Sequence, residues 1–145
     1  MHMYLSDESE TKKLGEKLAA IARPGDVLLL EGPLGAGKSC LSRAFIRALM
    51  QDERLTVPSP TFTLVQSYET PEAVEIWHYD LWRLDGPAAL EELGWDEALS
   101  GIVLVEWPDR LADLTPPTAW RLKLSLSGTG RMVEITGDLR GWDGR

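Results

Sequence analysis

The sequence predicts an α/β fold with a mixed sheet, parallel in its core and antiparallel in hairpins, and with flanking helices. Two uniformly apolar runs, at residues 27–30 and 102–105, are typical of strands buried on both faces of a parallel sheet. Apolar residues recur with helical spacing at 40–50, directly after the first run and its glycine-rich loop. Residues 120–126 alternate with period two instead, which favours an antiparallel strand.

The predicted elements follow one another without a linker or an internal repeat. They are a helix at 14–22 after a polar, acidic lead-in, a strand at 27–30, a helix at 40–50, a loop at 51–60, strands at 61–68 and 74–79, a helix at 87–93, a strand at 102–106, and strands at 120–126 and 132–135. Residues 69–73 are expected to turn a first hairpin. Residues 127–130 are expected to turn a second hairpin at an edge of the sheet.

Composition limits the class of protein. The 145 residues suffice for one domain with a buried core, so residues 1–145 are expected to form a single domain. No apolar run approaches the roughly 20 residues of a membrane span, and a single cysteine excludes an internal disulfide. A cytoplasmic location without membrane contact is therefore expected. The net charge of −8 argues against broad contact with nucleic acid, so RNA is expected to be reached only through a partner protein.

A phosphate-binding loop follows the first apolar run. Gly32-Pro33-Leu34-Gly35-Ala36-Gly37-Lys38-Ser39 fits G-x-x-x-x-G-K-[ST] at every fixed position, between a predicted strand and a predicted helix. Its glycines let backbone N–H groups face an anion, and the helix adds its positive end. The residues of this segment expected to bind a nucleotide are Gly32, Leu34, Gly35, Ala36, Gly37, Lys38, Ser39 and Cys40. The loop and the predicted sheet together indicate a P-loop NTPase-like domain.

Within this segment, Lys38 is expected to reach the β- and γ-phosphates, and the Ser39 hydroxyl is expected to hold Mg²⁺. The alternative is an ordinary glycine-rich turn between a strand and a helix. Cys40 is expected to be a small buried residue, with a reactive thiol as its alternative.

Two acidic residues end predicted strands and are candidates to serve the loop. Ligands gather at the carboxyl ends of strands in parallel sheets. Glu106, which follows four apolar residues, is expected to support Mg²⁺ directly or through water. Asp80 is then expected to orient or deprotonate the attacking water. Each carboxylate could alternatively be a solvated group at a strand end.

Three further side chains carry open alternatives. Thr61, which follows Ser59-Pro60, either approaches the γ-phosphate and Mg²⁺ or merely starts a strand. Trp107 either stacks on a nucleotide base or caps the core. His78 points away from the face of its two neighbours and is expected to be structural, because no partner ligands for a metal are evident.

The chain resembles one family, the bacterial TsaE ATPases, which act in making the threonylcarbamoyladenosine base of tRNA. The resemblance spans about residues 11–110. Four segments carry it: Gly32-Pro33-Leu34-Gly35-Ala36-Gly37-Lys38-Ser39, Ser59-Pro60-Thr61-Phe62-Thr63-Leu64-Val65, His78-Tyr79-Asp80-Leu81-Trp82-Arg83-Leu84 and Val105-Glu106-Trp107-Pro108. The chain differs from the family at Pro33, where an acidic residue is common, and at Ser39-Cys40, where Thr-Thr is frequent.

The resemblance implies a small Mg²⁺-dependent ATPase that binds the TsaB–TsaD pair and sustains its turnover. It implies phosphate and Mg²⁺ binding by Lys38 and Ser39, metal support by Glu106, γ-phosphate contacts near Asp80 and Thr61, and nucleotide contacts by Trp107 and, at the adenine, Thr11. The rival functions are a GTPase, a small-molecule kinase and a nucleotide-gated binding module with incidental hydrolysis. The GTPase is disfavoured because Asp138-Leu139-Arg140-Gly141 has no guanine-reading motif after it. The kinase is disfavoured because no Arg-rich lid lies between Asp80 and Glu106.

Overall fold

A computed structural model describes the whole chain, Met1–Arg145, as a seven-stranded sheet flanked by helices. The elements are β1 (His2–Leu5), α1 (Glu8–Ile21), β2 (Val27–Glu31), α2 (Lys38–Met50), β3 (Val65–Glu69), β4 (Glu75–Asp80), α3 (Trp95–Ala98), β5 (Ile102–Glu106), β6 (Trp120–Ser127) and β7 (Gly130–Thr136), with 3₁₀ helices at Pro87–Leu93 and Pro108–Leu114. None of the helices combines the length and the apolar character needed to cross a membrane.

The strand order is β1-β7-β6-β2-β5-β4-β3. β2 pairs in parallel with β5 and β6, and β5 pairs in parallel with β4, so the centre of the sheet is parallel. β3–β4, β6–β7 and β1–β7 are antiparallel pairs. The predicted fold class is therefore confirmed.

Helices α1 and α2 cover one face of the sheet and pack closely against each other. A Cβ atom on Gly15 of α1 would lie 2.8 Å from the Cβ of Ala44 in α2, so glycine permits the two helices to approach. Beneath them lies an apolar cluster that includes Leu28, Leu104 and Phe45. A second cluster, around Tyr79 and Trp95, fills the opposite face.

The sequence predicted that the second hairpin forms an edge of the sheet, and this prediction was wrong. β6 is an interior strand between β2 and β7, and β1 covers β7 to form the edge. The alternating residues Trp120, Leu122 and Leu124 are all buried, which gives β6 the apolar face that an interior position requires. β1 itself was not predicted, because four residues supply too short a pattern.

The first hairpin also begins later than predicted. Residues 61–64 form turns, because the Leu64 N–H donates to the Pro60 carbonyl at 2.6 Å, and β3 starts only at Val65. Thr61 is therefore in a turn and does not start a strand. The Leu64 carbonyl accepts from the Asp80 N–H at 3.0 Å, which ties this turn to the end of β4.

The register of the central strands brings the predicted site together. Asp80 is the register partner of Glu106, and Glu106 is also the partner of Leu30, two residues before Gly32. The carboxyl ends of β2, β4 and β5 thus meet at one edge of the sheet, where ligands of open parallel sheets collect.

Candidate functional site

A cavity of about 730 Å³ opens at this edge. It is within the usual size of a small-molecule site. The predicted site residues that line it are Thr11, Leu34, Gly35, Gly37, Lys38, Ser39, Cys40, Thr61, Asp80, Glu106 and Trp107. Gly32 and Ala36 do not line it: Ala36 is fully buried, and Gly32 borders a smaller hollow.

The loop takes a backbone path that glycine permits. Gly35 and Gly37 have φ values of 81° and 103°, in the left-handed region that side chains rarely adopt. At Gly32, a Cβ atom would come 2.5 Å from the Leu124 carbonyl oxygen. These glycines therefore fix the loop's curvature and its packing against β6.

The loop keeps backbone donors free. The N–H groups of Leu34, Gly35 and Gly37 donate to no protein acceptor. The first N–H groups of α2, which begins at Lys38, also lack intrahelical partners because of helix geometry. A curved row of free donors that leads into a helix N-terminus is a site for an anion.

Lys38 is the buried cation of this site. Lys38 is only 5% exposed. Its Nζ has no hydrogen-bond partner and lies 3.6 Å from the centre of the Trp107 ring. Burial lowers the Lys38 pKa, and the negative charges of Glu106 and Asp80 oppose that shift. A buried ammonium without a hydrogen-bond acceptor is costly, so an anion entering the cavity would gain a strong contact.

Trp107 takes a position that neither alternative described. Its backbone is in the left-handed region at φ 58°, and its ring packs against both Lys38 and Trp82, with 4.4 Å between the two ring centres. The ring therefore covers the loop lysine. Its contact with a nucleotide base stays a prediction.

Arg131 is a site residue that the sequence did not indicate. From the start of β7, its Nε donates to the Gly35 carbonyl at 3.1 Å and its Nη1 to the Gly130 carbonyl at 3.0 Å. It thereby ties the loop to the hairpin. No local motif marks this arginine, since only the pairing order of the strands brings β7 to the loop.

Asp80 is oriented by two donors. It is 4% exposed; its Oδ2 accepts from the Thr61 hydroxyl at 3.0 Å and its Oδ1 from the Trp82 N–H at 3.0 Å. The Ser59 hydroxyl lies 2.7 Å from that of Thr61 and must donate to it, because the Thr61 proton goes to Asp80. Thr61 is thus brought to the site as expected, where it contacts the acidic residue.

Glu106 is held by a residue expected to be structural. Its Oε2 lies 2.7 Å from the Nε2 of His78, and both residues are buried. His78 lies on the face of β4 opposite its neighbours Trp77 and Tyr79, as predicted. The contact between His78 and Glu106 depends on the parallel register of β4 with β5. No sequence pattern specifies that register, so the sequence carried no signal for the contact.

The donor set fits Mg²⁺ bound together with phosphate. No group of three or more His, Cys, Asp or Glu side chains could hold a metal unaided. Mg²⁺ is usually held by one or two carboxylates, a hydroxyl, waters and substrate phosphates. Ser39 with Glu106, and Asp80 beside them, offer a hydroxyl and carboxylates of this kind at the same cavity.

The remaining predicted residues lie around the rest of the cavity. Thr11 is buried and lines it beside Asp7 and Glu8. Cys40 is partly buried, with its Sγ 4.0 Å from the Glu8 carbonyl oxygen. Burial and the Glu8 charge raise the Cys40 pKa, which disfavours the thiolate and gives no support to the reactive-thiol alternative.

Pro33 departs from the expected loop without disturbing the cavity. It borders a separate hollow with Glu31, Trp107 and Asp109, and its carbonyl accepts from the Ala36 N–H at 3.2 Å. The N–H that proline lacks is therefore at a position outside the cavity lining.

A phosphate-type loop between β2 and α2, with acidic residues ending β4 and β5, defines an α/β domain of the P-loop NTPase class. The model of one family, "Threonylcarbamoyl adenosine biosynthesis protein TsaE", matches residues 5–133. The chain belongs to the TsaE family.

Relatives and a solved structure agree with this assignment. A "tRNA threonylcarbamoyladenosine biosynthesis protein TsaE" from Rickettsia conorii is 44% identical over 133 residues, which cover 90% of this chain and 75% of the relative. The protein of the same name from Bacillus subtilis is 36% identical over 121 residues, covering 82% and 73%. The crystal structure of YdiB from B. subtilis matches with a TM-score of 0.77 and 28% identity, covering 94% of this chain and 84% of that chain.

Proposed function

We propose that this chain binds ATP with Mg²⁺ in the cavity and hydrolyses it to ADP and phosphate. The observation that carries the proposal is the buried Lys38 ammonium, which has no hydrogen-bond acceptor and lies among free loop amides. A triphosphate supplies the negative charge and the acceptors that these groups lack. The carboxylates of Asp80 and Glu106 line the same cavity.

In this mechanism, different residues that line the cavity bind the phosphates, hold the metal ion and activate the water. The loop amides and Lys38 would bind the phosphate oxygens, and Ser39 and Glu106 would hold Mg²⁺. When bound, Mg²⁺ neutralises the charge that develops on the transferred phosphoryl group. Asp80, already oriented by Thr61, accepts a hydrogen bond from water and takes its proton. The water oxygen bonds to the γ-phosphorus while the bond to the β-phosphate oxygen breaks.

The biological role proposed is in tRNA threonylcarbamoyladenosine biosynthesis, as the names of the relatives say of those proteins. Family resemblance names TsaB and TsaD as the partners, with tRNA reached through them and the cytoplasm as the location. Three large side chains support a protein partner at the cavity mouth. Leu34 and Trp82, which line the cavity, and Phe62, beside Thr61, are 81%, 50% and 83% exposed. Large exposed apolar side chains beside a cavity are typical of an interaction site.

Phosphate release from ATP by the purified chain, without any acceptor, tests the activity. We expect steady Mg²⁺-dependent release with ATP, and much less with GTP. Strict dependence on an added acceptor would instead identify a kinase. No release under any of these conditions, with ATP still bound, would favour a nucleotide-gated binding module.

Co-purification with TsaB and TsaD tests the biological role. We expect the affinity to differ between ATP, ADP and a non-hydrolysable ATP analogue, because the exposed side chains border the nucleotide cavity. Equal affinity in all three states would contradict a nucleotide-dependent role. No association in any state would contradict the proposed partners.

A further inference from the structure

Core packing alone does not explain why residue 78 is a histidine. On its face of the sheet it lies between two apolar residues, Ile76 on β4 and Leu104 at its register position on β5, and the carboxylates of Asp80 and Glu106. His78 is 2% exposed, and its Nδ1 has no hydrogen-bond partner. An unpartnered ring nitrogen makes this burial unfavourable, so an apolar residue would serve the core better.

The bond joins the Nε2 of His78 to Oε2 of Glu106 over 2.7 Å. When the carboxylate is ionised it can only accept, so Nε2 then carries the proton and donates to it. Because Nδ1 has no partner, this bond is the polar contact that orients the ring. The bond also fixes the carboxylate, since one of its two oxygens is engaged.

We propose that His78 is a positioning residue for the metal site. By holding Oε2 of Glu106, its Nε2–H leaves Oε1 available to a metal ion and removes the side-chain freedom that metal binding would otherwise have to restrict. Protein groups that hydrogen-bond a metal ligand commonly tune its affinity in this way. The inference rests on the proposed function, because it requires that Glu106 supports Mg²⁺.

A matched pair of variants separates the hydrogen bond from the volume of the side chain. His78→Gln retains an N–H donor at similar reach, and His78→Met has nearly the same size but no donor. The measurement is the affinity of the ADP-bound protein for Mn²⁺, used in place of Mg²⁺ and followed by electron paramagnetic resonance. ADP affinity in the presence of EDTA and the melting temperature serve as controls.

We expect His78→Met to weaken Mn²⁺ binding about 10- to 100-fold. ADP binding without metal should be preserved, and His78→Gln should recover most of the Mn²⁺ affinity. In a Glu106→Ala background, His78→Met should cause no further loss, because the bond it removes is already absent. A purely structural role predicts no such dependence on Glu106.

Three outcomes would overturn the inference. His78→Met could bind Mn²⁺ as the unmodified chain does, His78→Gln could lose as much affinity as His78→Met, or His78→Met could cause an equal loss in the Glu106→Ala background. If both variants fail to fold, residue 78 serves the core and the inference is wrong. If the unmodified chain binds neither ADP nor Mn²⁺, the proposed function fails with it; if it binds both and only the His78 result is negative, the proposed function stands.

Discussion

The two walls of the cavity differ in how completely the protein satisfies their polar groups. The loop wall, formed by Leu34, Gly35 and residues 37–39, presents free amides and a lysine whose Nζ has no hydrogen-bond partner. The acidic wall, formed by Thr61, Asp80 and Glu106, has hydrogen bonds to both carboxylates, and the one to Glu106 comes from His78 behind the wall. The loop wall therefore requires a ligand for completion, and the acidic wall is oriented before any ligand arrives.

This difference has a physical basis. Backbone amides in a loop held by glycines are fixed in direction without a partner, so they can wait for an anion at little entropic cost. A carboxylate on a side chain rotates freely unless something holds it. Preset orientation of such groups is a main source of electrostatic catalysis. The proposed function accordingly gives ligand binding to the loop wall and catalytic orientation to the acidic wall.

The largest expected effect comes from the loop wall. Lys38→Ala removes the only buried cation of the cavity and should weaken ATP binding about 100-fold or more. Titration calorimetry with ATP and Mg²⁺ measures this. Lys123→Ala, at an exposed position on β6, is the control and should bind ATP normally. Unchanged binding by the Lys38 variant would remove the basis of the comparison.

Asp80→Asn tests the acidic wall by the opposite pattern. Turnover should fall about 100-fold because the amide cannot take a proton from water, while ATP affinity changes little. Single-turnover phosphate release beside equilibrium ATP binding separates the two quantities. Asp85→Asn, at an exposed residue nearby, should leave both unchanged. Normal hydrolysis by the Asp80 variant would exclude its catalytic role.

Thr61→Val probes whether the orientation of Asp80 matters. Losing one hydrogen bond to the carboxylate should lower kcat about tenfold, with a small change in KM. Steady-state kinetics check this, and Thr56→Val, in the exposed loop before β3, serves as the control. A rise in KM at constant kcat would place Thr61 on the binding side of the comparison instead.

The smallest effect on the site is expected from Tyr79→Phe, on the opposite face of the sheet. Burial raises the Tyr79 pKa, and its hydroxyl donates to the Leu93 carbonyl at 2.9 Å. The folded chain therefore keeps a proton that the unfolded chain releases above pH ~10, so stability falls as the pH rises through this range. The free energy of unfolding of the variant should be about 1 kcal/mol lower at neutral pH, and it should fall less steeply at alkaline pH.

Urea unfolding at several pH values measures this, and ATP affinity should not change. An equally steep alkaline decline in the Tyr79 variant would show that other groups cause it.

The features that the sequence predicted are local patterns, whereas those it did not predict are contacts between residues far apart along the chain. The apolar runs of β2 and β5 and the motif around Lys38 are local patterns, and each predicted its element correctly. The interior place of β6 and the contacts of Arg131 with Gly35 depend on strand order, which no local pattern encodes. The His78–Glu106 bond likewise follows from register between strands.

The most direct test of the division between the two walls is a crystal structure with a non-hydrolysable ATP analogue and Mg²⁺. We expect the Lys38 Nζ to leave the Trp107 ring for the β- and γ-phosphates. The bonds of His78 to Glu106 and of Thr61 to Asp80 should keep their present lengths of 2.7 Å and 3.0 Å. Phosphates bound away from the loop, or a Glu106 side chain turned away from Mg²⁺, would contradict that division.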